Sequence, residues 1–311
     1  MNPDALTGKR ILVTGVTGWV AGPLAASLAA AGNTVYGAAR FPDPDKRAPF
    51  EAAGVRTVSL DLADSRFDEV PAVDLVLHFA VLKTDDYALS FAANAHGSAD
   101  LMTAANDVAG GIEAFFHCSS TAVYAPAGLT PLTETSPLGD SHGMMHGMRT
   151  YSIAKIGAEV CVAHEAKRLG VPTVIARLNV PYGDTYGWPL FHLMMMERSI
   201  PIPVPLEVPS GYNPIHADDI CASIPFLLGL ASASAPRVNW GGPDVVAVQD
   251  WCEEMGRLTG LTPAYNPTAA TIQSVVVDTS RFQQTGFVPS VPWREGFRRL
   301  VATSRPDLLQ G

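Results

Sequence analysis

Through the first 180 residues, short runs of β-branched and other apolar residues alternate with longer alanine-rich stretches. That rhythm predicts repeated strand–helix–strand units of a parallel sheet. The strand candidates are Arg10–Thr14, 33–39, 55–60, 74–79, 114–119 and Thr173–Leu178, with helices over 20–31, 87–108 and 150–169. Runs that are apolar throughout, such as Leu75-Val76-Leu77, fit strands covered on both faces, because a strand that never meets water has no polar positions to alternate. After Asn179 the rhythm breaks, and Pro181, Pro189, Pro201, Pro203, Pro205, Pro209 and Pro214 predict irregular structure with short helices. The apolar stretch 220–235 is interrupted by Pro225 and falls short of the roughly 20 residues a membrane span needs, so it predicts a buried helix.

Composition narrows the class. A chain of 311 residues with 47% hydrophobic and 16% charged residues can fill a core and is not disordered. A net charge of −9 with no Lys/Arg stripe argues against nucleic acid as a partner. Residues 1–10 lack the basic-then-apolar order of a secretory signal, so neither membrane nor secretion is expected. Cys118, Cys161, Cys221 and Cys252 are too scattered for zinc or a redox dithiol and suit buried thiols in a reducing cytoplasm.

The segment from Ile11 to Gly22 reads as a buried strand, a glycine turn and a helix start. Gly15 supplies the turn and Gly18 lets main chain approach a pyrophosphate, with Thr17, Trp19 and Val20 around it and the helix N-terminus beneath. Ala21 takes the place of the third small residue, where helix and sheet touch. Opening a βαβ unit, this pattern predicts a dinucleotide site and makes 1–180 a Rossmann-type doubly wound domain, to which later segments return. Residues 181–311 are then mainly a substrate-binding part.

The second strand ends in Ala38-Ala39-Arg40 instead of an acidic residue. A carboxylate there would accept the ribose hydroxyls of NAD, whereas Arg40 can pair with a 2′-phosphate, so NADP(H) is expected over NAD(H). Asp61, after the third strand, either accepts from the adenine amino group beside Leu62 or caps a helix.

Tyr151 and Lys155 stand four apart on a predicted helix, one turn apart on one face. Using a phenol with a pKa near 10 as an acid and base near neutrality requires about 4 kcal/mol of phenolate stabilisation, which a nearby ammonium helps supply. The fifth strand runs into Ser119-Ser120-Thr121, bringing hydroxyls to the carboxyl edge of the sheet, where α/β folds bind ligands. Ser120 there can hydrogen-bond a substrate carbonyl or alcohol.

Together these pieces resemble the extended short-chain dehydrogenase/reductases, the NAD(P)-dependent epimerase/dehydratase-like proteins. The likeness extends through His78-Phe79-Ala80, Asn94 in Asn94-Ala95-His96-Gly97, the segment from Arg177 to Gly183 containing Val180, Ile215-His216-Ala217-Asp218-Asp219, and Asp278 to Pro289. It implies that Tyr151 is the proton donor or acceptor, that Lys155 is its partner and a ribose ligand, and that Ser120 orients the substrate. It further implies that Asn94 maintains helix and water geometry behind them and that Phe79, Ala80 and Val180 join the dinucleotide site. Helices 87–108 and 150–169 resemble those through which such proteins form homodimers.

Departures from the family narrow the reaction. The Asp-Glu pair of its dehydratases is replaced by Thr121-Ala122, and an arginine that grips nucleotide diphosphates by Tyr212. Thr121, Met145, Trp188 and Met195, with Met144, Met148, Phe191, Met194 and Met196 near them, predict an adaptable apolar pocket, although core packing accounts for each as well. His142 and His146 lie among Gly143 and Gly147, with no third ligand in view, so no metal is expected and a loop over the pocket is. The expectation is an NADP(H)-dependent oxidoreductase acting on a small or medium, uncharged, partly apolar ketone, aldehyde or secondary alcohol. The alternatives are an epimerase of a sugar-like substrate that retains its NAD(P), and a non-catalytic dinucleotide sensor, which has no need of Tyr151 and Lys155.

Overall fold

A computed structural model of the chain describes residues 6–64, 66–142, 145–206 and 209–310. Gly143 and Met144 lie outside the described residues. The centre is a seven-stranded sheet of β1 Arg10–Thr14, β2 Thr34–Ala39, β3 Arg56–Ser59, β4 Leu75–His78, β5 Ala114–Ser120, β6 Thr173–Leu178 and β7 Arg237–Trp240, in the order β7-β6-β5-β4-β1-β2-β3. The pairs β1·β2, β1·β4, β2·β3 and β4·β5 are parallel. The order reverses between β1 and β4, which is where doubly wound sheets bind ligands. Ile11, Leu12, Val13, Leu75, Val76, Leu77, Phe115 and Phe116 have no exposed surface. Each such side chain contributes about 1.5–3 kcal/mol through burial, which is why these runs show no polar alternation.

Helix α1, Ala21–Ala30, follows the glycine turn and ends before Gly32. The helix expected over 87–108 runs without a break from Tyr87 to Ala109, with a π-turn inside it that divides it into α2 Tyr87–Phe91, the π-turn Ala92–His96 and α3 Gly97–Ala109, closed by Gly110 at φ +67°. The wider π-turn inserts about one residue and shifts the helical phase, leaving Ala93, Asn94 and Ala95 all buried. The long helix α4, Tyr151–Leu169, starts one residue later than expected.

The longer helices α5 Trp188–Glu197, α6 Ala217–Leu228 and α7 Val248–Thr259 precede α8 Trp293–Ser304. The buried helix expected over 220–235 is α6, which begins earlier, with Asp218 and Asp219 favourably placed in its first turn, and stops at Leu228. Pro225 is accommodated inside it. The remaining residues turn through Gly229 to Ala231 and lead to β7.

The chain divides into two compact units. The first comprises 1–120, 153–177 and 221–238, and the second 121–152, 178–220 and 239–311. The core of the second is aromatic, built on Tyr182, Tyr212, Trp251 and Phe297. No described helix is long and apolar enough to cross a membrane.

Candidate functional site

In the first unit, the glycine turn is built for close approach. Gly15 sits at φ +75° and its N–H donates to Ala38 O at 2.7 Å, while Gly18 N–H closes the turn onto Gly15 O at 2.8 Å. A Cβ on Gly15 would lie 2.8 Å from Ala80 Cα, so turn and β4 loop already touch. The close contact between helix and turn falls at Gly22, whose added Cβ would meet Val16 O at 2.7 Å, one residue beyond the Ala21 expected from the motif. Thr17, Gly18 and Trp19 are exposed and Val20 is half-buried. Helix α1 starts with no side-chain cap and no acidic residue in its first turn. Its positive end is therefore uncompensated and suited to an anion. Turn and helix start fit a dinucleotide pyrophosphate.

Arg40 follows β2, is exposed, and has no ion pair among the described residues; its carbonyl accepts from Ser59 Oγ at 3.2 Å. Asp61 Oδ1 accepts from Ala63 N–H at 3.0 Å, a local turn bond. Leu62 is packed into the main core. Phe79 stacks on Phe116, with centroids 5.5 Å apart, and Ala80 is half-buried beside it.

Lys155 is buried, and its Nζ donates to Cys118 O at 2.8 Å. Burial pushes its pKa down; Cys118 and Glu159 pull it up, and the ammonium of Lys83 lowers it further. The same burial pushes the Cys118 thiol up to about 11, which makes it inert. Glu159, one turn beyond Lys155, accepts from Ser119 Oγ at 2.6 Å and from Arg177 Nε and Nη2 at 2.9 and 2.7 Å. This buried fork ties α4 to the end of β5, where Ser120 stands half-buried, and to β6. The Asn94 amide is spent on scaffolding: Oδ1 accepts from Leu82 N–H at 2.7 Å, and Nδ2 donates to Leu82 O at 2.9 Å and Ser90 Oγ at 3.2 Å.

In the second unit, a ladder of turns delivers Tyr151. Met145 N–H donates to His142 O, Met148 N–H to Met145 O, and Tyr151 N–H to Met148 O, at 2.9–3.1 Å. Tyr151 is half-buried, its ring 5.3 Å from that of His142. Thr121 is buried in a 3-10 turn, Thr121–Val123, and Val180 belongs to the aromatic core. Trp188 and Met195 share a half-buried face of α5 with His192, at i, i+4 and i+7. Met145, Trp188 and Met195 all pack against that core.

Trp188 meets Tyr212 edge-on at 5.6 Å, and Trp251 donates its indole N–H to His192 Nδ1 at 2.9 Å. Burial holds His192 down at about 4, so the ring is neutral. Tyr212 donates its hydroxyl to Ile272 O at 2.9 Å, and burial raises its pKa.

Cations in this unit are largely committed. Arg257, Arg298 and Arg305 pair with Glu254, Glu295 and Glu197, and Arg299 with both Asp184 and Asp218. Arg294 lies over the Trp293 ring at 4.2 Å. None of the five lysines of the chain belongs to this unit. Among the described residues no group of three or more His, Cys, Asp or Glu side chains could hold a metal ion.

Sequence reasoning passed over His192, Glu159, Lys83 and the side-chain role of His78. Glu159 and His192 could have been found by extending each helical face by one turn from Lys155 and Trp188. His78 gave no signal beyond its place in a short motif.

The family model described as "NAD dependent epimerase/dehydratase family" matches residues 11–200. Among curated proteins, dTDP-D-glucose 4,6-dehydratase from Mus musculus is 25% identical over 341 residues, covering 98% of this chain and 91% of that one. Among solved structures, UDP-glucose 4-epimerase from Thermotoga maritima, with UDP-glucose, superposes at a TM-score of 0.79 and 18% identity, covering 96% of this chain and 99% of that one. The dTDP-glucose 4,6-dehydratase DesIV from Streptomyces venezuelae, with NAD bound, gives 0.78 and 20%, covering 96% and 97%. Likeness at that identity establishes the shared α/β fold.

Proposed function

Because the chain belongs to the NAD dependent epimerase/dehydratase family, we propose that it is a nicotinamide-dependent oxidoreductase in which Tyr151 moves the proton and Lys155 holds the phenolate. The observation that carries this reading is helix α4, which starts at Tyr151 and places a buried lysine one turn on, hydrogen-bonded to the strand that ends at Ser120. When bound, the dinucleotide supplies or takes up a hydride at nicotinamide C4. Ser120 hydrogen-bonds the substrate oxygen. In the reducing direction Tyr151 gives its hydroxyl proton to that oxygen as the carbonyl becomes an alcohol, and the resulting phenolate is stabilised by the Lys155 ammonium. The first unit holds the dinucleotide through Gly15, Thr17, Gly18, Trp19, Val20, Asp61, Leu62, Phe79 and Ala80, with Asn94 fixing the β4 loop. Val180 is assigned to dinucleotide binding, and Thr121, Met145, Trp188 and Met195 to the substrate.

Arg40, exposed and without an ion pair among the described residues, supports NADP(H) over NAD(H). Replacing it, Arg40→Ala, is expected to weaken NADPH about tenfold or more and leave NADH nearly unchanged; equal loss of both in calorimetric titration refutes the preference. An uncharged, partly apolar substrate is supported by Tyr212, whose hydroxyl is committed to a backbone carbonyl and whose ring meets Trp188 and Trp251. Thr121-Ala122 offers no carboxylate for removing water.

A second reading, an epimerase of a sugar or sugar-like substrate with retained dinucleotide, is favoured by the names of the relatives. Net NADPH consumption in a carbonyl screen separates the two, since an epimerase consumes none. Tyr151→Phe is expected to abolish turnover and leave dinucleotide affinity within about twofold; substantial residual turnover sinks the assignment. Ile153 and Val160 on α4 and Val108 on α3, exposed at 38%, 60% and 51%, support a homodimer, which a monomer mass in solution scattering would exclude. Four unbridged cysteines suit a reducing cytoplasm.

A further inference from the structure

At the carboxyl edge of the sheet, Thr14, His78 and His117 stand side by side in register on β1, β4 and β5. Thr14 Oγ1 accepts from the backbone N–H groups of Phe79 at 3.2 Å and Ala80 at 3.1 Å. A hydroxyl oxygen has two lone pairs. Both are spent, so the hydroxyl proton must be what meets the third neighbour, His78 Nδ1, at 2.7 Å. Nδ1 is therefore an acceptor, and the ring carries its proton on Nε2, which faces Ser98 Oγ at 2.8 Å. Ser98 in turn donates to Asn94 O, inside the π-turn, at 2.5 Å. Every bond in this buried chain has one direction.

The chain joins two grips on one segment. Thr14 takes the N–H groups at the start of 79–82, and Asn94 takes both the N–H and the carbonyl of Leu82 at its end. The middle of that segment is what Gly15 touches, since an added Cβ would lie 2.8 Å from Ala80 Cα and 3.1 Å from Phe79 C.

We infer that His78 is a positioning residue for dinucleotide binding: locked in the Nε2–H tautomer, it couples the Thr14 and Asn94 grips and so presets the β4 loop against the glycine turn. The inference rests on the dinucleotide reading of this unit. Burial pushes the ring down to about 3, so protonation does not reverse the chain at ordinary pH.

Nitrogen-15 NMR of the wild-type protein tests the lock directly. Nδ1 of His78 is expected as an unprotonated acceptor and Nε2 as proton-bearing, unchanged between pH 7 and 5. For the coupling, His78→Leu is expected to raise the dinucleotide Kd about tenfold, the effect of losing one or two buried hydrogen bonds. The kcat at saturating dinucleotide should change far less. His78→Asn, whose Oδ1 can take the Thr14 hydroxyl proton, should recover part of the loss, and Ser98→Ala should raise Kd about threefold. A folded His78→Leu with unchanged Kd, or a protonated Nδ1, overturns the proposal. Should His78→Leu fail to fold, Ser98→Ala and the spectrum decide, and an unchanged Kd for Ser98→Ala is then the refutation. If the wild-type protein binds neither dinucleotide, the functional reading falls and the positioning role with it, while a locked tautomer would still stand as a structural result.

Discussion

His117 is completely buried beside His78, with ring centroids 5.3 Å apart, yet neither of its ring nitrogens has a partner among the described residues. A neutral imidazole there forgoes a hydrogen bond it makes in water, and burial, helped by Lys155 and His78, holds its pKa well below the ordinary value. In the folded chain neither histidine is protonated at moderately acidic pH, whereas the unfolded chain takes up protons below about pH 6.5. Unfolding thus binds protons as pH falls, and stability drops by up to about 1.4 kcal/mol per pH unit for each ring. His117→Leu is expected to leave stability at pH 7 within about 1 kcal/mol of the wild-type value and to gain about 2 kcal/mol over it at pH 5. Urea titrations at the two pH values measure both, and a loss above about 2 kcal/mol at pH 7 would show a hidden partner. At this scale the sequence was legible for residues that sit in motifs. Ser119 and Ser120 are adjacent hydroxyls, but only the structure shows Ser119 turned to Glu159; side-chain direction at a strand end depends on what packs behind it, which a single chain of letters does not carry.

Among the elements, helix α3 approaches a neighbouring segment closely. A Cβ at Gly97 would lie 3.0 Å from the carbonyl carbon and Cβ of Leu62, so the helix rests directly on the segment after β3. Gly97→Ala is expected to cost about 1–3 kcal/mol through overpacking, read as a lower midpoint in denaturant, and an unchanged midpoint would show that this contact yields freely. The strands of the first 180 residues were legible because apolar runs of their length between glycines and helices leave few other readings: β1 and β6 match residue for residue. The π-turn was not, since Ala92, Ala93 and Ala95 fit an α-turn equally well, and the preference comes from Asn94 reaching Leu82 and Ser98 reaching Asn94. Helix α7 carried a readable pattern, with Val248, Trp251, Cys252, Met255, Leu258 and Thr259 buried at helical spacing and Gly260 closing it at φ +75°.

For the molecule as a whole, the sheet is completed late. β7, Arg237–Trp240, lies beside β6, and 221–238 belongs to the first unit. A chain ending at residue 180 would therefore lack an edge strand and the whole of α6, exposing the edge of β6 and its apolar surroundings. It is expected to aggregate or to unfold without a cooperative transition by circular dichroism, and a sharp single transition would show that the first 180 residues suffice.

The uneven placement of lysine has a practical reach. All five, Lys9, Lys46, Lys83, Lys155 and Lys167, fall within the first unit. Amine-directed dyes and cross-linkers, and proteases that cut only after lysine, will therefore mark or open that unit alone, and the aromatic unit stays chemically silent to them. A probe attached this way reports on one half of the chain without touching the other.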